Sequence, residues 1–320
     1  MYSCRICNNN ENNMPFQVQE MMFGTRESFL YFECAQCGCI QISKIPEDIG
    51  RFYPETYYSF ASRKPAAFQR TRMFLKKHRR FLQFGKRSLL GVLAQSIWGP
   101  PKIYDGIKVS KIFREMRVLD IGCGSGKQLL ELADEGFINL TGVDAFISQN
   151  INYPNGVRII KGNVSSLEDK FDLIILQHSF EHVAEQRKML DSISPLMKKT
   201  SQLVIMIPVV SPVIWSKYRT KWVQLDAPRH FFLHTPKSFD HLIRQTDLEI
   251  YHMEYNSTAF QFWGSEQYLN DIPHISPRSY EVCPAKSIFS KAQIDFYTSE
   301  AERMNQQGTG DQAVFYIRKS

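Results

Sequence analysis

The 320-residue sequence predicts an α/β fold, a mostly parallel sheet with helices on both faces, behind a small Cys4 module. Three observations predict it. A short apolar strand, Arg117 to Ile121, runs into a glycine-rich turn and then into a segment with apolar residues at Leu129, Leu130, Leu132 and Ala133. That order is the strand, turn and helix of a nucleotide-binding unit. A second apolar run, Leu140 to Val143, ends in Asp144. Near the N-terminus stand two C-x-x-C pairs, Cys4 with Cys7 and Cys34 with Cys37.

Composition bounds the class. A hydrophobic content of 43%, with 22% charged residues, excludes a disordered chain. The balance of 39 Lys+Arg against 32 Asp+Glu leaves +7, which suits anionic substrates but falls short of the dense positive field of a dedicated nucleic-acid binder. The longest apolar stretches, 89–99 and 203–215, are below the roughly 20 residues that span a bilayer. Residues 1–13 lack the cationic head and apolar core of a secretory signal, so a cytoplasmic location is expected. In that compartment the seven cysteines are to be read first as metal ligands.

Residues 1–50 read as a zinc ribbon. Two thiolates three apart can bite one tetrahedral Zn²⁺ from a tight turn, and Gly38 after the second pair lets the backbone curl toward the sulfurs. Four sulfurs from Cys4, Cys7, Cys34 and Cys37 leave no open coordination position, so the metal is structural. Between the pairs, Phe16 and Val18, then Phe29 and Tyr31, alternate as in a β-hairpin, although Phe32 breaks the second alternation. Cys39 lies near the second pair as a spare. The other reading is four buried or reactive thiols that happen to fall at this spacing.

Residues 51–101 read as a basic helical connector. Arg63 to Ser88 holds ten Lys or Arg and no acid, with Phe68, Met73, Phe74, Leu75, Phe81, Leu82 and Phe84 at near-helical spacing. Such a helix either lies on anionic lipid or packs its apolar face on its own domain, the commoner case. Pro100 and Pro101 close it, and residues 102–320 form the third and largest part.

In that part the glycines of the turn let backbone approach a ligand, and the helix that follows offers unpaired amides. Asp144, eighteen residues past Gly126, can take two ribose hydroxyls. The spacing Gly122-x-Gly124-x-Gly126 differs from the dinucleotide pattern G-x-G-x-x-G, which argues against NAD.

From Val118 to Gly126 the sequence resembles the first motif of class I S-adenosylmethionine-dependent methyltransferases. The resemblance covers about Lys102 to Lys319. It implies a Rossmann-like, seven-stranded sheet that binds S-adenosylmethionine and releases S-adenosylhomocysteine (SAH). It places the donor against Asp120, Gly122, Cys123, Gly124 and Gly126, the ribose on Asp144, and the adenine beside Asn163 and Val164, where the family usually has Asp at position 163. Strand four, Phe171 to Gln177, implies Gln177 at the donor's border and leads into His178-Ser-Phe-Glu-His182, which looks like the family's Glu-His segment below the methyl donor. Strand five would be Gln202 to Pro208. The last two strands, Leu248 to Tyr255 and Ala313 to Arg318, would be reversed, with strand seven antiparallel. They are interrupted by residues 257–307, which carry a helix from about Ala285 to Gln306.

The Cys4 module, the Phe52-Tyr-Pro54 and Tyr57-Tyr58 segment and the run Asp226-x-Pro228-Arg-His-Phe231 together resemble bacterial sugar and surface-polysaccharide biosynthesis methyltransferases. That likeness implies a carbohydrate or nucleotide- or lipid-linked sugar as the small-molecule acceptor; no sugar pocket is legible. The candidate bases are His178 and His230 first, with Glu181 and His182 beside them. Glu181 and His182 also read as ordinary residues at a helix start. Arg229 either holds an anionic part of the acceptor or pairs with Asp226, and Tyr53, Tyr57 and Tyr58 either cap the site or pack between domains. Cys123 is no nucleophile, and Cys283 has no partner at metal spacing. Whether the methyl goes to O, N or C, and whether the protein is a monomer or homodimer, stays open.

Two rival functions remain. A zinc-containing RNA methyltransferase conflicts with Gln177-His178-Ser179-Phe180, where base-amine enzymes commonly carry Asp or Asn, two prolines and an aromatic. A non-catalytic binding module conflicts with the intact Asp120, Gly122, Gly124, Gly126 and Asp144. A nicotinamide oxidoreductase is a remote third.

Overall fold

The computed structural model describes residues 2–54, 89–98 and 114–320. The helix expected over 63–88, with Tyr57, Tyr58, Pro100 and Pro101, lies outside the described residues. In chain order the elements are β1 (Met14–Gln19), β2 (Ser28–Glu33), β3 (Ile40–Ile42), α1 (Leu89–Trp98), β4 (Arg117–Ile121) and α2 (Lys127–Asp134). Next come β5 (Asn139–Asp144), β6 (Ile151–Asn152), β7 (Arg158–Lys161), β8 (Phe171–Gln177), α3 (Gln186–Ile193) and β9 (Met197–Pro208). The chain ends with α4 (Pro212–Tyr218), β10 (Phe232–Leu233), α5 (Pro236–Ile243), β11 (Leu248–Tyr255), α6 (Phe260–Leu269), α7 (Lys291–Gln306) and β12 (Gln312–Lys319).

The α/β fold stands. A central sheet has the order β11-β12-β9-β8-β4-β5-β7-β6, and a second sheet the order β1-β2-β3-β10. Strands β4, β5, β7 and β8 pair in parallel, and β6 pairs antiparallel with β7, so the central sheet is mixed. The expected seven strands are therefore joined by an eighth. β6 arises because Tyr153-Pro154-Asn155-Gly156 is a turn, closed by a hydrogen bond from the Gly156 amide to the Tyr153 carbonyl, that folds the chain back along β7.

The chain divides into two compact units. One is made of Pro54–Ser179, Met189–Ile205 and Tyr316–Ser320. Its strands are apolar without alternation, because parallel strands are covered on both faces: Val118, Leu119 and the run Leu173, Ile174, Ile175, Leu176 are all buried. Helix α2 presents Leu129, Leu132 and Ala133 to this core. A methyl group at Gly142 would meet Cys123 Sγ at 2.4 Å, Ile159 Cδ1 at 2.8 Å and Leu129 Cδ1 at 2.9 Å. Glycine there lets the turn and α2 settle onto β5.

The other unit is made of Met1–Tyr53, Phe180–Lys188 and Met206–Phe315. The expected hairpin is present, β1 against β2 in the register Phe16↔Tyr31. Tyr31 and Phe32 are both buried because both faces of the hairpin are covered: Phe16 stacks on Tyr31 at 6.4 Å, and Tyr2 on Phe32 at 5.6 Å. The small sheet is not closed by its own segment. β10 adds its fourth strand, with Phe232 opposite Gln41 and Leu233 opposite Ile40. Side chains reinforce this edge: the Tyr31 hydroxyl donates to the His230 carbonyl at 2.9 Å, and Thr235 Oγ1 donates to the Cys37 carbonyl at 2.7 Å.

Two boundaries differ from expectation. Helix α7 starts at Lys291 and not near Ala285, because Ser290 and Gln293 form a reciprocal capping box and Pro284–Lys286 forms a separate short turn. β9 starts at Met197, ahead of Gln202, with Ser201 held in the strand by donating to the Phe171 carbonyl.

Asp120 lies in β4 and is buried, and burial together with the neighbouring Asp144 carboxylate pushes its carboxyl up to about 7. A carboxyl raised on folding holds its proton in the native state where the unfolded chain has lost it, so stability falls as pH rises from about 4 to 7. We expect Asp120→Asn to remove this slope. Thermal unfolding should then show the wild type losing up to ~4 kcal/mol relative to the variant across that window, and a pH-independent difference would contradict the assignment.

Candidate functional site

The turn after β4 carries three left-handed glycines, with φ of +75° at Gly122, +54° at Gly124 and +80° at Gly126. A side chain at Gly122 would put its Cβ 2.5 Å from Ser179 Cβ, and one at Gly126 2.6 Å from Ile159 Cδ1. The turn is laced to β5 by the Gly122 amide, which donates to the Val143 carbonyl at 2.8 Å. Gly126 also begins α2 without a side-chain cap, which leaves its first amides available to a polar ligand.

Asp144 ends β5 beside this turn and is buried. Its Oδ2 accepts from the Gly124 amide at 2.9 Å and its Oδ1 from the Phe146 amide at 2.8 Å. Two backbone donors thus fix the carboxylate, and each oxygen keeps a lone pair, as many as two adjacent hydroxyls need. Cys123 is half-buried; burial, with Asp120 and Asp144 nearby, holds its thiol well above the usual range, so it stays protonated. Asn163 is exposed ahead of the short turn Val164–Ser166, and Val164 is buried. Gln177 is exposed at the end of β8, and His178 follows it with φ +50°.

The sequence reading missed three residues here. Ser179 donates from Oγ to the Ile121 carbonyl at 2.8 Å and so pins the β8 loop to the end of β4. The Tyr153 hydroxyl donates to the Ser125 carbonyl at 2.7 Å. Phe146 is exposed and hydrogen-bonded to the very carboxylate singled out. Its signal was legible: an aromatic residue two positions after a strand-ending acid.

His178 belongs to the unit that carries Asp144, and Glu181, His182 and His230 belong to the other. Those three form one cluster, with a ligand-type atom from each within 4.8 Å of the others. His230 Nδ1 lies 2.7 Å from the Gln224 carbonyl, and His182 Nδ1 2.8 Å from the Arg229 carbonyl and 3.0 Å from the Tyr53 hydroxyl. A carbonyl only accepts, which assigns a ring proton to Nδ1 in both histidines. Burial and the neighbouring His182 bring His230 down to about 4, so it is neutral near pH 7. Its Nε2 stands 3.9 Å from Glu181 Oε1 and 3.8 Å from Asp226 Oδ2.

Arg229 takes the pairing of its two expected roles. It is fully buried, donating from Nε and Nη2 to Asp226 at 2.9 and 2.6 Å and from Nη2 to Glu20 at 3.0 Å. Burial alone would raise Asp226, but the Arg229 guanidinium outweighs it and holds the carboxyl at about 2. Tyr53, the one described member of the tyrosine trio, lies against the His182 ring.

The four cysteines converge. Cys4 and Cys37 sulfurs are 3.7 Å apart, Cys7 and Cys34 sulfurs 3.5 Å, and all four lie within 4.8 Å of one another. Tetrahedral thiolates at a Zn–S bond of 2.3 Å would be separated by about 3.8 Å, so the donor set fits the ion. Gln41 Nε2 donates to Cys4 Sγ at 2.8 Å, as an outer partner of a thiolate ligand does. Gly38 has φ +71° after the second pair, and Asn8 takes φ +62° at the matching place after the first. Asparagine is a residue that tolerates this conformation, so the first knuckle was also readable. Cys39 is buried outside the group.

Comparison with known proteins bears on one segment of the chain. Residues 101–253 match the family model of a methyltransferase domain. The ubiquinone biosynthesis O-methyltransferase of Rickettsia felis is 26% identical over 152 residues, which cover 42% of this chain and 62% of that protein. The chain thus spans less than two thirds of the length of that curated relative. Among solved structures, the mycolic acid cyclopropane synthase CmaA1 with SAH and CTAB aligns with a TM-score of 0.46 and 13% identity over 72% of this chain and 86% of that one. Magnesium protoporphyrin IX methyltransferase from Synechocystis PCC 6803 with bound SAH aligns with a TM-score of 0.42 and 11% identity over 85% and 97%. Residues 101–253, a little under half of the chain, are thus similar to a methyltransferase domain.

Proposed function

We propose that the whole chain transfers a methyl group from S-adenosylmethionine to a small-molecule acceptor. The observation that carries this reading is the Asp144 carboxylate, fixed by the Gly124 and Phe146 amides with an acceptor site left on each oxygen. Asp144 would hold the ribose, the exposed Phe146 ring would offer an apolar face to a purine, and the Gly122–Gly126 backbone would lie along the rest of the donor, with Asp120, Cys123, Asn163, Val164 and Gln177 at its borders. The bound donor supplies an activated methyl on a sulfonium. What remains for the protein is to hold the acceptor at near-attack distance and to take its proton. As acceptor and methyl carbon bond, the carbon–sulfur bond breaks and SAH is left.

His178 is the base we favour, since it stands at the end of β8 in the unit that carries Asp144, next to the Ser179 that packs on Gly122. His230 is the second choice, neutral and with its Nε2 lone pair available. The acceptor we propose is a sugar or a nucleotide- or lipid-linked sugar, on the strength of the combined likeness of Cys4 module, core and Pro228-Arg229-His230 segment. An oxygen acceptor would agree with the name of the Rickettsia relative. An RNA substrate is disfavoured by Gln177 to Phe180, as above.

For the Cys4 cluster we propose structural Zn²⁺, and for the protein a cytoplasmic location. No helix among the described residues is long and apolar enough to cross a membrane. Contact with an anionic membrane surface through the basic run 63–88 is a secondary proposal. It is supported by α1 directly after that run, which exposes Leu89, Val92, Leu93 and Ile97.

Two outcomes are expected. Asp144→Ala should weaken SAH binding about 100-fold or more by calorimetry, because two charge-assisted hydrogen bonds at ~1.5 to 3 kcal/mol each are lost. Retention of wild-type SAH affinity would remove Asp144 from the site. Cys34→Ser should release zinc, read by metal analysis, and lower the thermal stability of the β1-β2-β3-β10 sheet. A variant that loses metal yet melts like the wild type would contradict a structural ion.

A further inference from the structure

Glu181, His182 and His230 are more than proton transfer alone would need. A single imidazole suffices for a base, whereas here two imidazoles and a carboxylate converge, with one nitrogen or oxygen from each inside a 4.8 Å span. Both rings are held from behind in the same way: Nδ1 lies against a backbone carbonyl, of Gln224 for His230 and of Arg229 for His182, and His230 Nε2 stands 3.9 Å from Glu181 Oε1. Metal-binding histidines show this arrangement, because the carbonyl behind the ring fixes both the tautomer and the direction of the lone pair.

The surrounding residues keep the three groups in place. The Glu181 carbonyl accepts from the Phe231 amide at 2.9 Å, which locks the backbone of the Phe180–His182 turn against the residue after His230. The Tyr31 hydroxyl holds the His230 carbonyl from the ribbon side at 2.9 Å. His230 Nε2 faces two carboxylates, Glu181 Oε1 at 3.9 Å and Asp226 Oδ2 at 3.8 Å, of which Asp226 is already paired with Arg229. Glu181 is fully buried, His230 nearly so, and His182 half-buried, which puts the approach to the cluster on the side of His182.

We propose that Glu181, His182 and His230 form a second metal site, a two-histidine, one-carboxylate set for a divalent first-row transition cation, distinct in chemistry from the Cys4 site. Bonds of about 2.0 to 2.2 Å from nitrogen and oxygen place neighbouring ligand atoms roughly 3.0 to 3.6 Å apart. The 3.9 Å between His230 Nε2 and Glu181 Oε1 is close to that, so a small inward closure completes the set. Three protein ligands leave positions open for water or another small oxygen ligand, and with the ion bound His230 is a ligand and no longer a base. The inference does not depend on methyl transfer, because the ion is read directly.

The test is a titration of the full-length, zinc-loaded protein with Mn²⁺, followed by the loss of the free-ion electron paramagnetic resonance signal. Mn²⁺ is the chosen probe because oxygen and imidazole ligands suit it and thiolates select softer ions, so the Cys4 site does not compete. One saturable equivalent per chain is expected. His182→Ala and Glu181→Gln should each weaken it at least ~10-fold with an unchanged circular dichroism spectrum, while His252→Ala, at an exposed histidine beside Glu254, should leave it intact. Should one of the two variants fail to fold, the other and the wild-type stoichiometry still decide. The proposal is overturned if the wild type binds no saturable Mn²⁺, and also no Co²⁺ or Zn²⁺ beyond what the cysteines retain, or if binding survives both substitutions.

Discussion

The chemistry assigned to this chain depends on how closely the backbone of residues 121–127 can approach its neighbours. Three left-handed glycines in the turn and a fourth glycine in β5 leave room for Ser179 to press on Gly122, Ile159 on Gly126 and Cys123 on Gly142. Only with that approach can the Gly124 amide reach the Asp144 carboxylate at 2.9 Å. The carboxylate is then pre-oriented before any ligand arrives, so no side-chain entropy has to be lost at binding. The cost appears in Asp120, a second carboxyl buried beside the first and pushed up to about 7.

In the other unit, the Cys4 module is tied to a distant part of the chain. Its β3 edge pairs with β10, its Cys37 carbonyl accepts from Thr235, and its Tyr31 hydroxyl holds the carbonyl of His230. A metal clip at the cysteines would therefore act on more than its own hairpin: it would stiffen the strand whose tyrosine positions the Glu181–His182–His230 cluster. Arg229, fixed between Asp226 and Glu20, braces the same segment from inside. Of the two roles its sequence allowed, Arg229 takes the pairing with Asp226 and is a buried strut.

Much of this was legible in the residues themselves. The strand, glycine turn and helix at 117–134 could be read because glycine spacing and a continuous apolar run report a backbone constraint directly, and the paired cysteines report theirs. The two last strands and the insertion between them also lie where the resemblance implied, at Leu248–Tyr255 and Gln312–Lys319. What was not legible depends on partners far apart in sequence. Nothing around Phe232 and Leu233 announces a strand, since two residues carry no periodicity, and they become one only by pairing with Gln41 and Ile40. The same holds for the histidine cluster: the sequence put Glu181 and His182 together after strand four and His230 in a distant segment, and the fold brings a ligand-type atom of each within 4.8 Å of the others. The choice between two roles for Arg229 likewise waited on Glu20, two hundred residues upstream.

The central claim is that the Gly122–Gly126 turn and Asp144 hold an adenosine-bearing sulfur donor. Thermal unfolding of the zinc-loaded protein with S-adenosylmethionine, SAH or NADH in parallel tests it most directly. A ligand at ~100 times its Kd adds about 2.7 kcal/mol, worth roughly 5 to 10 °C for a domain of this size. The account predicts a shift of that order with both sulfur compounds and none with NADH. A shift with NADH alone, or none with any of the three, would contradict it.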